Sequence, residues 1–396
     1  MTLVLCLPDG CVVGALPPLA VSSPWWSDVG ELGPAVRATH GLDVTVLRLL
    51  AAPPGPTPAG GAVTYLAEVP ALPARQLGPW PAEPTAAQPL RQPWACPGGP
   101  AAALTWADAV LAERGTGQSG PAEQVKTWNL SGVWRLHTSA GPVWLKCVPD
   151  FFGHEGAVIA RLDPLVVPTL LAVGSGRLLM GNVAGTDRFG APLEQLLRMV
   201  GLLVDLQHAW SGRVEELLAL GLPDWRPGAI AALAADTLRR TADQLDATTV
   251  GEVAALIAGL PGRFAAVAEC GLPDTLVHGD FHPGNVRGTG DALTLMDWGD
   301  CGVGHPILDQ AAFLERLSAD DREAVQAEWD RLWWARRPGS DGRRASALLA
   351  PVAALRQATI YRKFLDRIEP DEHVYHQADP AFWLGRAAAL ARQLPG

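Results

Sequence analysis

Lysine is nearly absent from this chain of 396 residues: Lys126, Lys146 and Lys363 are the only three. Arginine supplies the rest of the basic residues, no Lys/Arg block occurs, and the formal net charge is −10. That balance disfavours nucleic acid and anionic membrane surfaces as partners. The six cysteines, Cys6, Cys11, Cys96, Cys147, Cys270 and Cys301, form no CxxC pair and have no histidine at zinc spacing, so buried, inert thiols are expected. No run of about eighteen apolar residues stands out, and no membrane span is expected. The opening ten residues lack a positive n-region and a sufficient apolar stretch, which predicts no secretory signal and a cytoplasmic location. No GxxxxGK[ST] motif occurs, which excludes a P-loop nucleotide site. Oligomeric state leaves no mark in the sequence.

What is present describes a globular chain: 48% hydrophobic and 18% charged residues, with a length that predicts roughly two to three domains. Residues 1–70 read as a small α/β module. Leu3–Leu7 and Cys11–Leu16 are strand-like around the Pro8-Asp9-Gly10 turn, Val29–Thr39 is helical, and Val44–Leu50 and Ala62–Val69 are strand-like. Residues 71–120 read as a proline-rich, stiff linker followed by a bracing helix, Ala101–Arg114. From Val125 short strands dominate, and from about 184 the periodicity is helical, with Pro223, Pro227 and Pro261 as expected breaks and Pro380–Leu394 as the last helix.

The stretch Leu276–Asp309 carries the chemistry. An apolar lead ends in His278-Gly279-Asp280, Asn285 follows five positions later, and Asp297 stands twelve positions beyond that, after the apolar run Ala292–Met296. The pattern predicts a hairpin that presents Asp280, Asn285 and Asp297 at adjacent strand ends. A plain hairpin with acidic turn residues has the same letters. One carboxylate set apart from an Asn/Asp pair suits a division of labour: Asp280 to orient or deprotonate a hydroxyl, Asn285 and Asp297 as hard oxygen ligands for Mg²⁺.

His278–Asn285 (HGDxxxxN) and Asp297-Trp298-Gly299-Asp300 resemble the catalytic and metal-binding segments of the aminoglycoside phosphotransferase and choline kinase group. The resemblance covers residues from about 125 to 396. It implies an α+β, bilobal protein-kinase-like fold, with a β-rich N-lobe over 121–183 and a helical C-lobe over 184–396. It also implies transfer of the γ-phosphate of Mg·ATP to a hydroxyl of a small molecule. Lys146, inside the apolar strand VWLKCV, matches the lysine that holds the α- and β-phosphates; an edge strand with a snorkelling lysine is the alternative. Glu155, on a helix expected over Phe151–Leu162, resembles the glutamate that aims that lysine, or is an ordinary acidic helix start. Ser131-Gly132 is the turn where a phosphate could approach backbone N–H groups, or an ordinary hairpin turn. The backbone around Met180–Asn182 falls at the adenine-binding hinge. His278 and Asp309 match residues that support the catalytic loop, while His282 shapes the turn.

The acceptor is read from weaker signs. Asp300 is a second metal or substrate contact, or a turn residue. The segment Ile368–Pro380 reads as a loop in which Glu372, His373, Tyr375, His376 and Asp379, with Trp383 beyond, furnish either a substrate site or a solvated surface. The run VWLKCVPDFFGHE and the extra N-terminal module resemble bacterial maltokinase- and glucosamine-kinase-related proteins, which implies a sugar or amino sugar over an aminoglycoside antibiotic. Glu31 through VTYLAEV resembles a Nudix helix and its following strands, but Ala35, Ala38 and Thr39 stand where metal-binding glutamates belong. A module of that kind lacks the ligands for pyrophosphate chemistry. A catalytically silent kinase-like binding protein is the alternative function. Protein-kinase activity is disfavoured because no APE-like segment follows Asp297.

Overall fold

The computed structural model describes residues 1–23, 25–53 and 59–393. The chain forms two units: residues 1–153, 169–182 and 364–377 in the first, 154–168, 183–363 and 378–396 in the second. Leu394, with which the last expected helix closes, lies outside the described residues.

The first unit begins with β1 (Thr2–Cys6), β2 (Val12–Ala15), α1 (Leu32–His40), β3 (Thr45–Ala51) and β4 (Thr64–Glu68). These strands form one sheet in the order β2-β1-β4-β3, with β1 and β4 parallel. Side chains alternate across a strand, so Leu3 and Leu5 enter one core with Leu32 and Val36 of α1, while Val4 and Cys6 enter another with Leu47 and Leu66. Both faces of the sheet are buried, which accounts for the unbroken apolar letters of β1.

Residues beyond 70 do not act as a spacer. Ala15 and Gly78 exchange backbone hydrogen bonds of 2.8 and 2.9 Å, and Trp94 is buried beneath α2 (Gly99–Glu113). A second sheet follows, built from β5 (Glu123–Trp128), β6 (Ser131–Thr138), β7 (Gly141–Cys147), β8 (Leu170–Gly174) and β9 (Arg177–Gly181), in the order β5-β6-β7-β9-β8. Trp134, Leu136, Leu145, Cys147 and Leu179 pack on one face against Trp94 and α2. Lys146, between Leu145 and Cys147, therefore leaves from the opposite face.

The turn expected at Ser131-Gly132 is corrected here. Ser131 and Gly132 are not a turn; they open β6, pairing with Trp128 and Thr127. Ser131 Oγ accepts from Trp128 Nε1 at 3.0 Å, and a Cβ on Gly132 would meet the rings of Trp134 and Trp94 at 2.8–2.9 Å. Tryptophan packing by itself requires the glycine. Met180 lies within β9 opposite Trp144, and the strand ends one residue before Asn182, whose Oδ1 accepts from Trp144 Nε1 at 2.9 Å.

A further correction concerns residues 368–377, which are not a solvated loop. Pro370–Tyr375 is a 3-10 helix inside the first unit. The Tyr375 ring is buried edge-on to Trp26 and Trp128, with centroids 5.9 and 5.7 Å away, in the core of the N-terminal sheet. Glu369 takes Arg91 at 2.9 Å and Arg48 at 3.4 Å, all three side chains almost fully buried. Glu372 is buried as well, and burial, then the charge of Glu369, push its carboxyl up to about 8. Glu372 and Tyr375 are thus core residues of the N-terminal module and not substrate contacts.

The second unit holds α3 (Glu155–Ile159), β10 (Thr186–Asp187), α4 (Leu193–Trp210), α5 (Val214–Ala219), α6 (Pro227–Thr241), α7 (Ala247–Ala268), β11 (Thr275–Val277), β12 (Val286–Thr289), β13 (Ala292–Leu295) and β14 (Gly302–Gly304). After these come α8 (Gln310–Leu314), α9 (Ala319–Arg336), α10 (Gly342–Leu365), whose last two residues belong to the first unit, and α11 (Asp379–Arg392). The helix expected over Phe151–Leu162 is shorter: a 3-10 turn at Asp150–Phe152 ends at Gly153 before α3 starts at Glu155. Pro261 does not break α7 but sits within it; Val253, Leu256, Leu260 and Val267 are buried along one side of the helix, which packs against α6 and α11. By length and composition alone α7 is also apolar enough to cross a membrane.

Tyr375 supplies a stability test. Tyr375→Ala should cost about 3–5 kcal/mol, whereas Tyr375→Phe should be close to neutral, because the phenol oxygen has no hydrogen-bond partner among the described residues. Denaturant unfolding followed by tryptophan fluorescence measures both.

Candidate active site

The proposed catalytic segment is built from two small ladders rather than one hairpin. β12 and β13 pair antiparallel, Val286 opposite Leu295, and a backbone bond of 2.8 Å from Met296 N to Asn285 O continues the ladder. This brings Asn285 and Asp297 to the same end. The lead into Asp280, β11, pairs instead with β14, Val277 opposite Gly302. The chain between the ladders must turn sharply, and Asp297 takes φ 60° there, the one non-glycine with positive φ among the described residues. Aspartate tolerates that region better than most residues, and such strain is commonly kept where a site requires it.

One carboxylate anchors the Asp280 loop. Asp309 Oδ2 accepts from His278 N and Oδ1 from Gly279 N, both at 2.8 Å, and Gln207 Nε2 donates to Oδ2 at 2.9 Å. Burial raises the Asp309 carboxyl above its ordinary value, against the pull of these N–H groups and of Arg356. His278 is fully buried and donates from Nε2 to Met296 O at 2.9 Å, so its ring joins the Asp280 loop to the residue before Asp297. Burial lowers its pKa and keeps it neutral, in spite of the surrounding carboxylates.

A buried cation closes the same junction. Arg356 of α10 donates from Nη1 to Gly279 O and from Nη2 to Asp300 O, each at 3.2 Å, with its guanidinium 4.9 Å over the Trp225 ring. Gly279 has φ 90°, and a Cβ there would lie 2.0 Å from Asp300 O. Only glycine permits this approach. Sequence reading missed Arg356; its one signal is a charge inside the apolar pattern of α10.

Asp280 lies within this frame. Asn285 Nδ2 donates to Asp280 Oδ2 at 3.0 Å and to its backbone oxygen at 2.9 Å, which leaves the Asn285 carbonyl oxygen as that side chain's ligand atom. His282 Nδ1 accepts from Gly284 N at 3.0 Å, and Nε2 lies 3.5 Å from Asp280 Oδ2. Burial pushes the Asp280 carboxyl up, but the hydrogen bond and charge of His282 outweigh it, and the net direction is down. Half-buried Asp300 goes the other way, to about 7, through burial and then the Asp280 charge. Glu155 is buried in the second unit, where Oε1 accepts from Trp298 N at 3.2 Å. Lys146 belongs to the first unit. Trp383 is half-buried on α11 with its ring edge-on to Phe382.

These two units and this carboxylate–amide constellation define a phosphotransferase with the α+β, protein-kinase-like fold. Residues 117–348, more than half of the chain, match the model of the phosphotransferase enzyme family APH, and the chain belongs to that family. By class it transfers phosphoryl to an alcohol group of a small molecule. Among solved structures it is similar to macrolide 2′-phosphotransferase MphH from Brachybacterium faecium, at 16% identity and TM-score 0.50, over 74% of this chain and 99% of that one. A structure described as an aminoglycoside phosphotransferase from Ralstonia eutropha has 16% identity and TM-score 0.51, over 74% and 99%. Another, described as a fructosamine-3-kinase from Thermobifida fusca, has 18% identity and TM-score 0.50, over 72% and 97%. At such identities the likeness shows the fold. No curated protein matches this chain.

Two measurements test the electrostatics. Asp309→Asn turns an amide N–H₂ toward backbone donors and leaves Arg356 poorly balanced, so it should cost about 2–4 kcal/mol in denaturant unfolding. Asp300 holds its proton more tightly folded than unfolded, so it favours folding below its unfolded pKa and loses that advantage as pH rises toward 7. In divalent-free buffer, Asp300→Asn should therefore melt like wild type near about pH 4 and increasingly above it by about pH 8.

Proposed function

We propose that the chain transfers the γ-phosphate of Mg·ATP to a hydroxyl of a sugar, amino sugar or aminoglycoside. The observation that supports this most directly is the pairing of Asp280 Oδ2 with Asn285 Nδ2 on a loop fixed by Asp309 and Arg356. Asp280 is held below its ordinary pKa and so is ionised at neutral pH, able to align the acceptor hydroxyl and take its proton. The acceptor oxygen then bonds to the γ-phosphorus as the bond to the bridging oxygen breaks and ADP leaves. Catalysis of this kind rests on positioning and charge more than on covalent help.

The donor set fits a hard divalent cation. Asp280, Asp297 and Asp300 raise one another's cost of ionisation, a repulsion that a bound cation relieves, and the Asn285 carbonyl is a neutral oxygen ligand. Asn285 and Asp297 would hold Mg²⁺, which when bound neutralises charge on the β- and γ-phosphates. Lys146 would hold the α- and β-phosphates, Glu155 would aim it, and the backbone around Met180–Asn182 would meet adenine. Trp383 is retained as an acceptor contact only through the family resemblance. Asp300, beside Asp280, is the better supported one, and its carboxyl suits a hydroxyl or ammonium of the acceptor.

Coupled ADP release against a panel of amino sugars, neutral sugars and aminoglycosides tests the reading. Asp280→Asn should lower acceptor-dependent turnover at least about 100-fold with nucleotide affinity kept. Asp297→Ala should lose Mg·nucleotide affinity first. An equal loss of nucleotide affinity in both variants would contradict the assigned roles, and ATP binding without any acceptor-stimulated release would favour a silent binding protein.

A further inference from the structure

The two oxygens of the Asp280 carboxylate have different surroundings. Oδ2 accepts from Asn285 Nδ2 at 3.0 Å and has His282 Nε2 at 3.5 Å. Oδ1 receives no hydrogen bond among the described residues, on a side chain that is 41% exposed. His282 is almost fully buried, and its ring is fixed. Nδ1 accepts from Gly284 N at 3.0 Å, so the proton of the neutral imidazole resides on Nε2, the nitrogen that faces Asp280. The ring also stacks on Phe189, with centroids 5.6 Å apart and planes at 25°. Phe189 is held in turn, because β10 pairs with β12 and Arg188 N donates to Pro283 O at 2.9 Å. Gly284 leaves room for this stack: a Cβ there would lie 2.3 Å from the Phe189 ring.

We propose, on the phosphotransfer reading, that His282 is a positioning residue that donates to Asp280 Oδ2 and reserves Oδ1 to take the acceptor's hydroxyl proton. With two donors on Oδ2, the carboxylate cannot rotate without losing both. As the acceptor oxygen bonds to the γ-phosphorus, its proton passes to Oδ1. The bond from phosphorus to the bridging oxygen breaks, and its electron pair leaves with ADP. A separation of 3.5 Å is the outer limit of a hydrogen bond, and catalytic bonds are commonly long before substrate binds. Shaping the turn needs only Nδ1 and does not account for the direction of Nε2.

Two substitutions separate the two nitrogens. His282→Asn keeps an acceptor for Gly284 N but is too short to reach Asp280, whereas His282→Gln can place an N–H near Asp280 and loses the Gly284 acceptor. Coupled ADP release is measured with Mg·ATP and glucosamine, or the panel acceptor that stimulates wild type most. His282→Asn should lower kcat about tenfold with KM for Mg·ATP unchanged, and His282→Gln should recover most of that loss. The reverse order would make His282 a turn residue and overturn the proposal. So would equal effects of the two substitutions, or a loss confined to KM. If a variant does not fold, long-range ¹H–¹⁵N spectra of the wild-type histidines decide: the Nε2–H tautomer of His282 is expected, and the Nδ1–H tautomer would overturn the proposal. Absence of acceptor-stimulated release in wild type would remove the phosphotransfer reading and this proposal with it, whereas the other contrary outcomes overturn the proposal alone.

Discussion

The Asp309 carboxylate receives two consecutive backbone N–H groups, those of His278 and Gly279, at 2.8 Å each. A loop that must present an ionised aspartate cannot be held by apolar packing at its tip, because the tip has to meet substrate. Charge-assisted bonds to the backbone hold it from behind instead. The cost is a buried carboxylate, and Arg356 lies close enough to offset it while tying Gly279 to Asp300 through their carbonyls. Acid, cation and glycine are therefore one device. Gly279 allows the approach, Arg356 bridges it, and Asp309 fixes the direction in which Asp280 leaves the strand.

The N-terminal module has a similar logic at its own scale. Its sheet is closed by a return of the chain more than 300 residues later, when Tyr375 enters the core and Glu369 meets Arg48 and Arg91. Buried ion pairs of this sort add little net stability but penalise any arrangement that leaves one partner alone. The first unit is specified by contacts that only the complete chain can make.

This explains which parts were legible in the sequence. Asp280, Asn285 and Asp297 are spaced within one short stretch, so the motif could be read from its letters. Asp309, at the end of the same stretch, could be named through the family resemblance. Arg356 could not: it comes from another helix, and its hydrogen bonds go to backbone oxygens, which leave no letter. Glu372 and Tyr375 misled because polar letters between two helices look solvated, and the buried arginines and tryptophans around them lie far away in the chain. Ser131-Gly132 misled for a different reason. The strand start is set by Trp94 and Trp134 closing over the glycine, and tertiary packing of that kind outranks local turn preference. The paired ladders β11/β14 and β12/β13 were read as one hairpin because nothing in a linear pattern says which run a strand will choose.

The most direct test of this account is amide hydrogen exchange at His278 and Gly279 in the substrate-free protein. If Asp309 holds the loop ready for chemistry, both amides should be protected nearly as well as the buried strand residues Leu276 and Val277, opening only with the surrounding core. Exchange at the rate of an ordinary surface loop would show that the Asp280 geometry forms only on binding, and would contradict a preorganised site.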